Sequence, residues 1–378
     1  MNIIIFIIIL LVLVLAHEAG HFFTAKAFKI RVDEFGFGFP PKLFSWKKGE
    51  TEYSINALPF GGFVKIFGES MDEADLLEVG FLDKEETLKK VDLARSFMYK
   101  PKYQQALVLL AGIVANFLLA WLLFSFGFMS GLPTSVGSEP SGYKLENVNL
   151  VVVSVLAKSP AENAGLKTGD KIVSVKNDKS FITDITPNSL KTFIVSNPQK
   201  QIEFGYIRGK DKNINFTEIT PVAGKADGQP SIGIAMDQIG TVKLPILKAF
   251  GEGMKLNISV TKGTAVGLYR LIVDGIQGKG SFSSITGPVG MIGVVGDASK
   301  FGFTYLLSFA ALISINLAII DIIPFPALDG GRLLFLLIEK IKGSRLNPKF
   351  ANMANMIGFA ILILLMLLVT YHDVVKLF

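Results

Sequence analysis

The residues with the clearest chemical potential are His17, Glu18 and His21, which form the motif HEAGH. On an α-helix, side chains four residues apart project from one face with their Cβ atoms about 5–6 Å apart. Two imidazoles at that spacing can reach one Zn²⁺ at about 2.0–2.1 Å. Glu18 is placed to take a proton from a water molecule that such a metal activates. The spacing therefore predicts two ligands of a zinc site and a general base.

The position of the motif strengthens this hypothesis, because it follows the almost purely apolar segment NIIIFIIILLVLVLA at residues 2–16. At about 1.5 Å rise per residue, His17 lies roughly 24 Å along a helix, inside a bilayer core about 30 Å thick. A charge at mid-bilayer costs about 2.5–3.5 kcal/mol on insertion scales, so ionisable residues in a span indicate function. The structural alternative is a polar cluster that holds membrane helices together.

A catalytic zinc ion usually has three protein ligands, so HEAGH leaves one ligand to be found elsewhere. The segment NLAIIDIIPFPALDGGRLLF contains two carboxylates, Asp321 and Asp329. Pro324 and Pro326 interrupt the helix there, and irregular backbone at membrane depth is tolerated only inside protein or along a wet cavity. Asp329 is the candidate ligand, and position alone leaves Asp321 open as the alternative.

The composition is that of an integral membrane protein. Of the 378 residues, 50% are hydrophobic and only 19% are charged, and the mean hydropathy is +0.47. The net charge of +6 is modest, and no basic stripe with interleaved aromatic residues indicates a nucleic-acid partner. The absence of cysteine excludes disulfides and thiolate metal ligands. The expected environment is therefore the lipid bilayer, with no nucleic acid bound.

Apolar runs of about 20 residues predict about four transmembrane helices. These are residues 1–28 with HEAGH, 104–128, 304–331 with the LDG motif, and 354–371. The first run has no basic residue before it and is followed by Lys26, which indicates an uncleaved span rather than a signal peptide. Cations concentrate in residues 29–103 and 332–353, which the positive-inside rule places in the cytoplasm. Residues 129–303 and both termini are then extracytoplasmic, and HEAGH lies nearer the cytoplasmic side.

Three regions outside the spans have a predicted structure. Residues 145–222 contain SPAENAGL and GDKIV, whose order of helix start, helix-ending Gly165 and strand resembles a PDZ domain; a generic β-rich domain is the alternative. Residues 243–277 have helical apolar spacing interrupted by cations, which predicts an amphipathic helix on the outer membrane face. Alternation on both sides of Gly49 predicts strands in the cytoplasmic loop, close to the membrane.

Together, these features resemble the site-2 protease family (peptidase family M50B), and within it the bacterial RseP-type zinc metalloproteases of regulated intramembrane proteolysis. The resemblance rests on HEAGH, the PDZ-like domain and PFPALDGG at residues 324–331, and extends to PFGGFVK at 59–65, Ala111-Gly112 with Asn116, and GPVG at 287–290. It implies a polytopic α-helical membrane protein with a membrane-associated cytoplasmic β-loop and one extracytoplasmic PDZ-like domain. The implied location is the bacterial inner (cytoplasmic) membrane.

The resemblance also implies roles for individual residues. His17, His21 and Asp329 would bind one Zn²⁺ per chain, and Glu18 would be the general base of an endopeptidase. The implied substrates are single-span membrane proteins already trimmed outside, such as anti-sigma factors, and remnant signal peptides. The implied substrate-binding residues are Gly36, Gly38, Gly61, Gly62, Asn316, Asp321, Pro324 and Pro326. One departure is Asp321, which stands where the family usually has Asn. The difference matters for substrate binding because a carboxylate cannot donate the hydrogen bonds that an amide donates.

Two rival functions belong to other classes. A non-catalytic scaffold that binds partners through the PDZ-like domain would need neither Glu18 nor Asp329. A zinc transporter would need metal-ligating groups along a path across the membrane, and the sequence shows one cluster. The leading hypothesis is therefore an intramembrane zinc endopeptidase.

Overall fold

The computed structural model describes residues 2–69, 94–209, 213–224, 228–278 and 287–375. Lys89-Lys90, which contributed to the predicted cytoplasmic loop, lie outside these ranges. The chain divides into two compact units. The first comprises residues 1–123, 254–293 and 310–378, and the second comprises 124–253 and 294–309.

The helices are α1 (Asn2–Ala27), α2 (Lys102–Ser130), α3 (Pro160–Asn163), α4 (Pro187–Val195), α5 (Ile246–Ile276), α6 (Pro288–Phe301), α7 (Phe303–Ile322), α8 (Asp329–Lys342) and α9 (Pro348–Val375). Among the described residues, α1, α2, α7 and α9 are long and apolar enough to cross a membrane, with mean hydropathies between 2.1 and 2.8. Helix α5 lies inside the range predicted for an amphipathic helix, and its location on a membrane face stays a prediction.

The third predicted span is shorter in the structure than in the sequence interpretation. Residues 304–331 are predicted as one span interrupted at its prolines; in the structure α7 ends at Ile322, and Asp329 begins the separate helix α8. Pro324 and Pro326 lack the amide hydrogens that the helical ladder needs, so α7 cannot continue through them. Helix α8 therefore occupies much of the predicted 332–353 loop, and it is capped after Lys342 by Gly343, whose φ of +74° is left-handed. Helix α9 begins at Pro348, before the predicted residue 354, because its first turns include Lys349 and Asn352, which a search for a continuous apolar run leaves out.

In the first unit, strands β1 (Val32–Lys48) and β2 (Thr51–Ile66) form an antiparallel hairpin. Lys48 pairs with Thr51 across a turn at Gly49, whose φ of +66° suits glycine. The register is irregular, because Phe35 lies opposite both Val64 and Tyr53. Residues 62–66 of β2 therefore pair with one edge of β1, and residues 52–55 of β2 pair with its opposite edge.

The hairpin turn is tied to the end of α1 by an ionic network. The carboxylate of Glu50 accepts hydrogen bonds from Lys26 and Arg95. Burial by itself raises the pKa of Glu50, but the hydrogen bonds from Arg95 and Lys26 outweigh it and hold the pKa below its usual value. The hairpin is thereby fixed next to the helix that carries HEAGH.

The second unit is built on a six-stranded sheet with the order β3 (Leu132–Ser135), β10 (Ile234–Val242), β4 (Glu146–Val155), β5 (Lys171–Lys176), β6 (Ile202–Ile207) and β7 (Asn215–Ile219). Strands β8 (Val222–Ala223) and β9 (Pro230–Ser231) form a separate pair. The core of the second unit includes Leu150, Val152, Leu190 and Phe204, each at most 2% exposed. Helix α4 begins with a capping box between Thr186 and Ser189, and it packs Leu190 and Ile194 onto the sheet.

The predicted module boundary at 145–222 leaves out two strands of this sheet. Strand β10 lies between β3 and β4, and Met236 pairs with Val152. A strand that joins the sheet from far along the chain leaves no local signal of its partner, because pairing is a tertiary property. The structural module therefore extends from Leu132 to Val242.

Candidate metal centre

Two helices bring His17, His21 and Asp329 together. His17 and His21 lie on one face of α1, with their ring centroids 4.8 Å apart. Asp329 is the first residue of α8, and the left-handed backbone of Ala327, with φ of +76°, turns the chain into that helix. The amide of Ala327 donates to Asn355 Oδ1 at 3.2 Å, which fixes the turn. The helix break predicted from the prolines thus presents a carboxylate to HEAGH.

The three side chains form a compact triangle of potential ligand atoms. His17 Nε2 and His21 Nε2 are 3.1 Å apart, and Asp329 Oδ2 lies 3.3 and 3.1 Å from them respectively. Ligands at 2.0–2.1 Å from a tetrahedral zinc ion lie about 3.4 Å from one another. Asp329 Oδ2 is buried without a hydrogen-bond partner among the described residues. Three electron-rich atoms this close, one of them orphaned, fit a shared cation.

The backbone of α2 fixes the tautomer of His21. His21 Nδ1 lies 2.8 Å from the carbonyl oxygen of Val108, and a carbonyl only accepts hydrogen bonds. The proton must therefore sit on Nδ1, which leaves the Nε2 lone pair directed at the triangle. This is the arrangement of a metal-ligating histidine that is held by an outer partner.

Glycine allows α1 and α2 to approach closely at the triangle. A Cβ on Gly20 would lie 2.2 Å from the carbonyl oxygen of Ala111. A Cβ on Gly112 would lie 2.3 Å from His21 Nε2 and 2.8 Å from His17 Nε2. Position 112 therefore borders the space that a metal ion would share with the two imidazoles.

His17, His21 and Asp329 line a cavity of about 400 Å³, and Glu18 lines it as well. Gly62 of β2 packs over α1 there, since a Cβ on it would lie 3.2 Å from Glu18 Cγ. The lining also includes Arg332 and Glu69, which form an ion pair. The arrangement combines a possible metal site, a carboxylate base and room for a substrate.

The two candidate carboxylates contact opposite nitrogens of His17. Asp329 faces Nε2, whereas Asp321 Oδ2 lies 3.5 Å from Nδ1. Asn116 of α2 is also close, with Nδ2 3.3 Å from Nδ1. The geometry therefore places Asp329, rather than Asp321, with the Nε2 atoms of both histidines.

Of the predicted substrate-binding residues, Gly62 lines the cavity. The lining does not include the other seven: Gly36, Gly38, Gly61, Asn316, Asp321, Pro324 and Pro326. Gly36 and Gly38 lie in β1 and Gly61 in β2 beside Gly62, while Asn316 is half-buried in α7. Pro326 packs its carbonyl against Gly358 of α9. Their roles in substrate binding stay predictions.

Sequence reasoning did not assign a role to Val108, Glu69 or Arg332. Val108 acts through its carbonyl, which every residue type has, so no sequence signal could have identified it. Arg332 directly follows the LDGG segment, and a cation next to a carboxylate in a predicted membrane segment was an available signal. Gly112 and Asn116 entered only through family resemblance, and the structure places both against the histidines.

The sequence matches a known protein family over almost its whole length. The model for peptidase family M50 matches residues 5–365. The chain belongs to peptidase family M50. This M50 peptidase is therefore a zinc metalloprotease and an integral membrane protein, which agrees with the His/Asp triangle and the four apolar helices.

Curated relatives match this M50 peptidase over their full length. The regulator of sigma-W protease RasP from Bacillus subtilis is 32% identical, covering 100% of this chain and 99% of the relative. The zinc metalloprotease RasP from Geobacillus kaustophilus is 30% identical, covering 100% and 98%. Among solved structures, the PDZ domain of the SdrC-like protein from Listeria monocytogenes is 23% identical to the matching part of this chain. The match covers 25% of this chain and 92% of that structure, with a TM-score of 0.20.

Proposed function

We propose that this peptidase is a site-2-type endopeptidase that cleaves the transmembrane segments of single-span membrane proteins. The observation that carries the proposal is the triangle of His17, His21 and Asp329 beside Glu18, built on the membrane-candidate helix α1 and the first residue of α8. A peptidase whose active site lies on a membrane-spanning helix meets the membrane-spanning segments of other proteins, rather than soluble chains.

In this proposal His17, His21 and Asp329 hold one zinc ion. When bound there, zinc supplies the Lewis acidity that activates water and polarises a scissile carbonyl. Glu18 lies outside the triangle but in the same cavity, so its carboxylate accepts the proton of the attacking water and returns it to the leaving amine. The Val108 carbonyl keeps His21 in the ligating tautomer throughout.

The substrate must be extended before it can react, because a helix hides its carbonyls in internal hydrogen bonds. The cavity wall supplies a strand for this purpose, since Gly62, Phe63 and Val64 of β2 line it. We propose that an unwound segment adds to this strand by β-augmentation, so that backbone partners replace the lost helical ones. Gly62 keeps the strand close enough to Glu18 for the reaction.

The positive-inside rule supports an orientation with the termini outside and the site nearer the cytoplasm of a bacterial inner membrane. Helix α8, which begins with Asp329, carries the cations Arg332, Lys340 and Lys342, which supports placing this helix on the cytoplasmic side. The printed name of the Bacillus relative, a regulator of sigma-W protease, supports anti-sigma-factor-type substrates. Remnant signal peptides are a second substrate of the same chemical kind.

We also propose that the sheet of the second unit is the extracytoplasmic PDZ-like domain. A groove of about 190 Å³ lies between α4 and the start of β10, lined by Val195, Ile232 and Met236. On the β3 side, β10 has backbone partners only from Gln238 onward, where the amide of Val136 donates to the Gln238 carbonyl, so in the described chain the earlier part of β10 has a free edge beside α4. An extended peptide fits such an edge, and the domain would screen substrates before cleavage.

The proposal is tested by cleavage of a single-span model protein in detergent, with and without its outer domain. Wild type is expected to cut the trimmed form inside its membrane segment, as mass spectrometry of the products will show. His21→Ala is expected to cut neither form, because it removes a zinc ligand. Cleavage only outside the membrane segment would contradict the proposal.

The same assay tests the screening role through the ratio of trimmed to untrimmed cleavage. Val195→Trp fills the groove, so the ratio is expected to fall at least several-fold towards one. Thr192→Trp places the same side chain on an exposed position of α4 and is the matched control. An unchanged ratio in Val195→Trp would remove the groove from substrate selection and leave the protease assignment intact.

A further inference from the structure

The nitrogen of His17 that faces away from the triangle lies beside an acid that the proposed mechanism does not use. Asp321 Oδ2 is 3.5 Å from His17 Nδ1, and among the described residues His17 is its one ion-pair partner. Asp321 is half-buried near the end of α7 and is absent from the lining of the reaction cavity. Its position is suited to acting on His17 rather than on a substrate.

The chemistry of His17 creates a need for such an acid. If Nε2 gives its lone pair to a metal, the neutral ring carries its proton on Nδ1, and that N–H needs an acceptor. Val108 meets the same need for His21. A carboxylate in this position orients the imidazole and raises its basicity, as in the carboxylate–histidine pairs of zinc enzymes.

Asn116 is the other group near Nδ1, but it presents a donor. Its Nδ2 lies 3.3 Å from Nδ1, while its buried Oδ1 has no hydrogen-bond partner among the described residues. An amide N–H directed at a protonated Nδ1 is repulsive, so Asn116 can serve only after its amide rotates by 180°. Asp321 accepts in either orientation, because an ionised carboxylate has only acceptor oxygens.

We infer that Asp321 is a positioning residue that accepts the Nδ1–H hydrogen bond of His17 and holds it as a zinc ligand. The 3.5 Å distance is a few tenths of an ångström longer than an ordinary N–H···O bond, and such bonds commonly tighten when a site is loaded. The role explains a carboxylate at this position, where an amide would be expected for binding a substrate backbone. The inference rests on the proposed zinc ligation by His17.

The test is the rate at which zinc leaves the purified full-length protein, followed with a chromogenic chelator in excess. Asp321→Leu removes the acceptor and is expected to speed zinc release by about 10–100-fold, the usual effect of losing an outer partner. Asp321→Asn keeps an acceptor oxygen without the charge and is expected to restore most of the difference. Release from Asp321→Leu at the wild-type rate would overturn the inference.

Two controls separate this effect from loss of stability and from failure of the ligand assignment. Asp373→Asn alters another buried carboxylate, which accepts from the amides of Gly287 and Gly290, and is expected to release zinc at the wild-type rate. Equal acceleration in Asp373→Asn and Asp321→Leu would assign the effect to stability and overturn the inference. His17→Ala tests the proposed ligand itself, since a variant that keeps its zinc would refute the ligand set whatever Asp321 does.

Discussion

Glu18→Gln is expected to keep its zinc ion and lose about 10²–10⁴-fold of its cleavage rate, the usual contribution of a general base. Glutamine has nearly the shape of glutamate, but its amide cannot take a proton from water. Glu18 does not belong to the metal triangle, although it shares the cavity with it. Zinc content is therefore expected to stay at the wild-type value while turnover of a trimmed single-span substrate collapses.

The matched control for this experiment is Glu52→Gln, on the hairpin strand β2, where the carboxylate pairs with Lys42 at the surface. It makes the same chemical change outside the cavity, so its cleavage rate is expected to match wild type. Cleavage by Glu18→Gln within a few-fold of the control would refute the assigned base.

Gly112→Ala is expected to abolish zinc binding although it adds a single methyl group. The new Cβ would lie 2.3 Å from His21 Nε2 and 2.7 Å from His17 Cε1, where real side chains are not found. One or both imidazoles must move off the triangle, and α1 and α2 must separate if they do not. Alanine is intrinsically better than glycine in a helix by about 0.8–1.0 kcal/mol, so propensity alone predicts the opposite sign.

The measurement is zinc content by mass spectrometry together with the thermal midpoint of unfolding. Gly267→Ala in α5 is the matched control, because a Cβ at that position meets no atom within 4 Å. Full zinc occupancy in Gly112→Ala would show that the two helices do not approach as described.

The features of the fold and the site that could be predicted from the sequence are those that depend on helix geometry and hydropathy. The spacing of His17 and His21 defined one helix face, and the prolines near Asp329 predicted the break that the structure shows. Membership of the protease family follows from these motifs and is confirmed by the match to peptidase family M50. These features are local, or repeat at a short period, so the sequence carries them.

The other features of the fold and the site depend on tertiary contacts, which the sequence does not show. Position in the sequence left Asp321 open beside Asp329, and only the family resemblance favoured Asp329, because the choice depends on which nitrogen of His17 each carboxylate meets. The tautomer of His21 depends on a carbonyl of Val108, 87 residues away. Likewise β10 was missed because its partner strand β4 is far along the chain.

In the proposed site, zinc binding depends most directly on Asp329 as the third ligand. The decisive measurement is the zinc-to-protein ratio of the purified protein after removal of free metal, for wild type, Asp329→Ala and Asp321→Asn. Wild type and Asp321→Asn are expected to hold one zinc ion per chain, and Asp329→Ala close to none. A full zinc ion in Asp329→Ala, with loss from Asp321→Asn, would contradict the account and transfer the ligand role to Asp321.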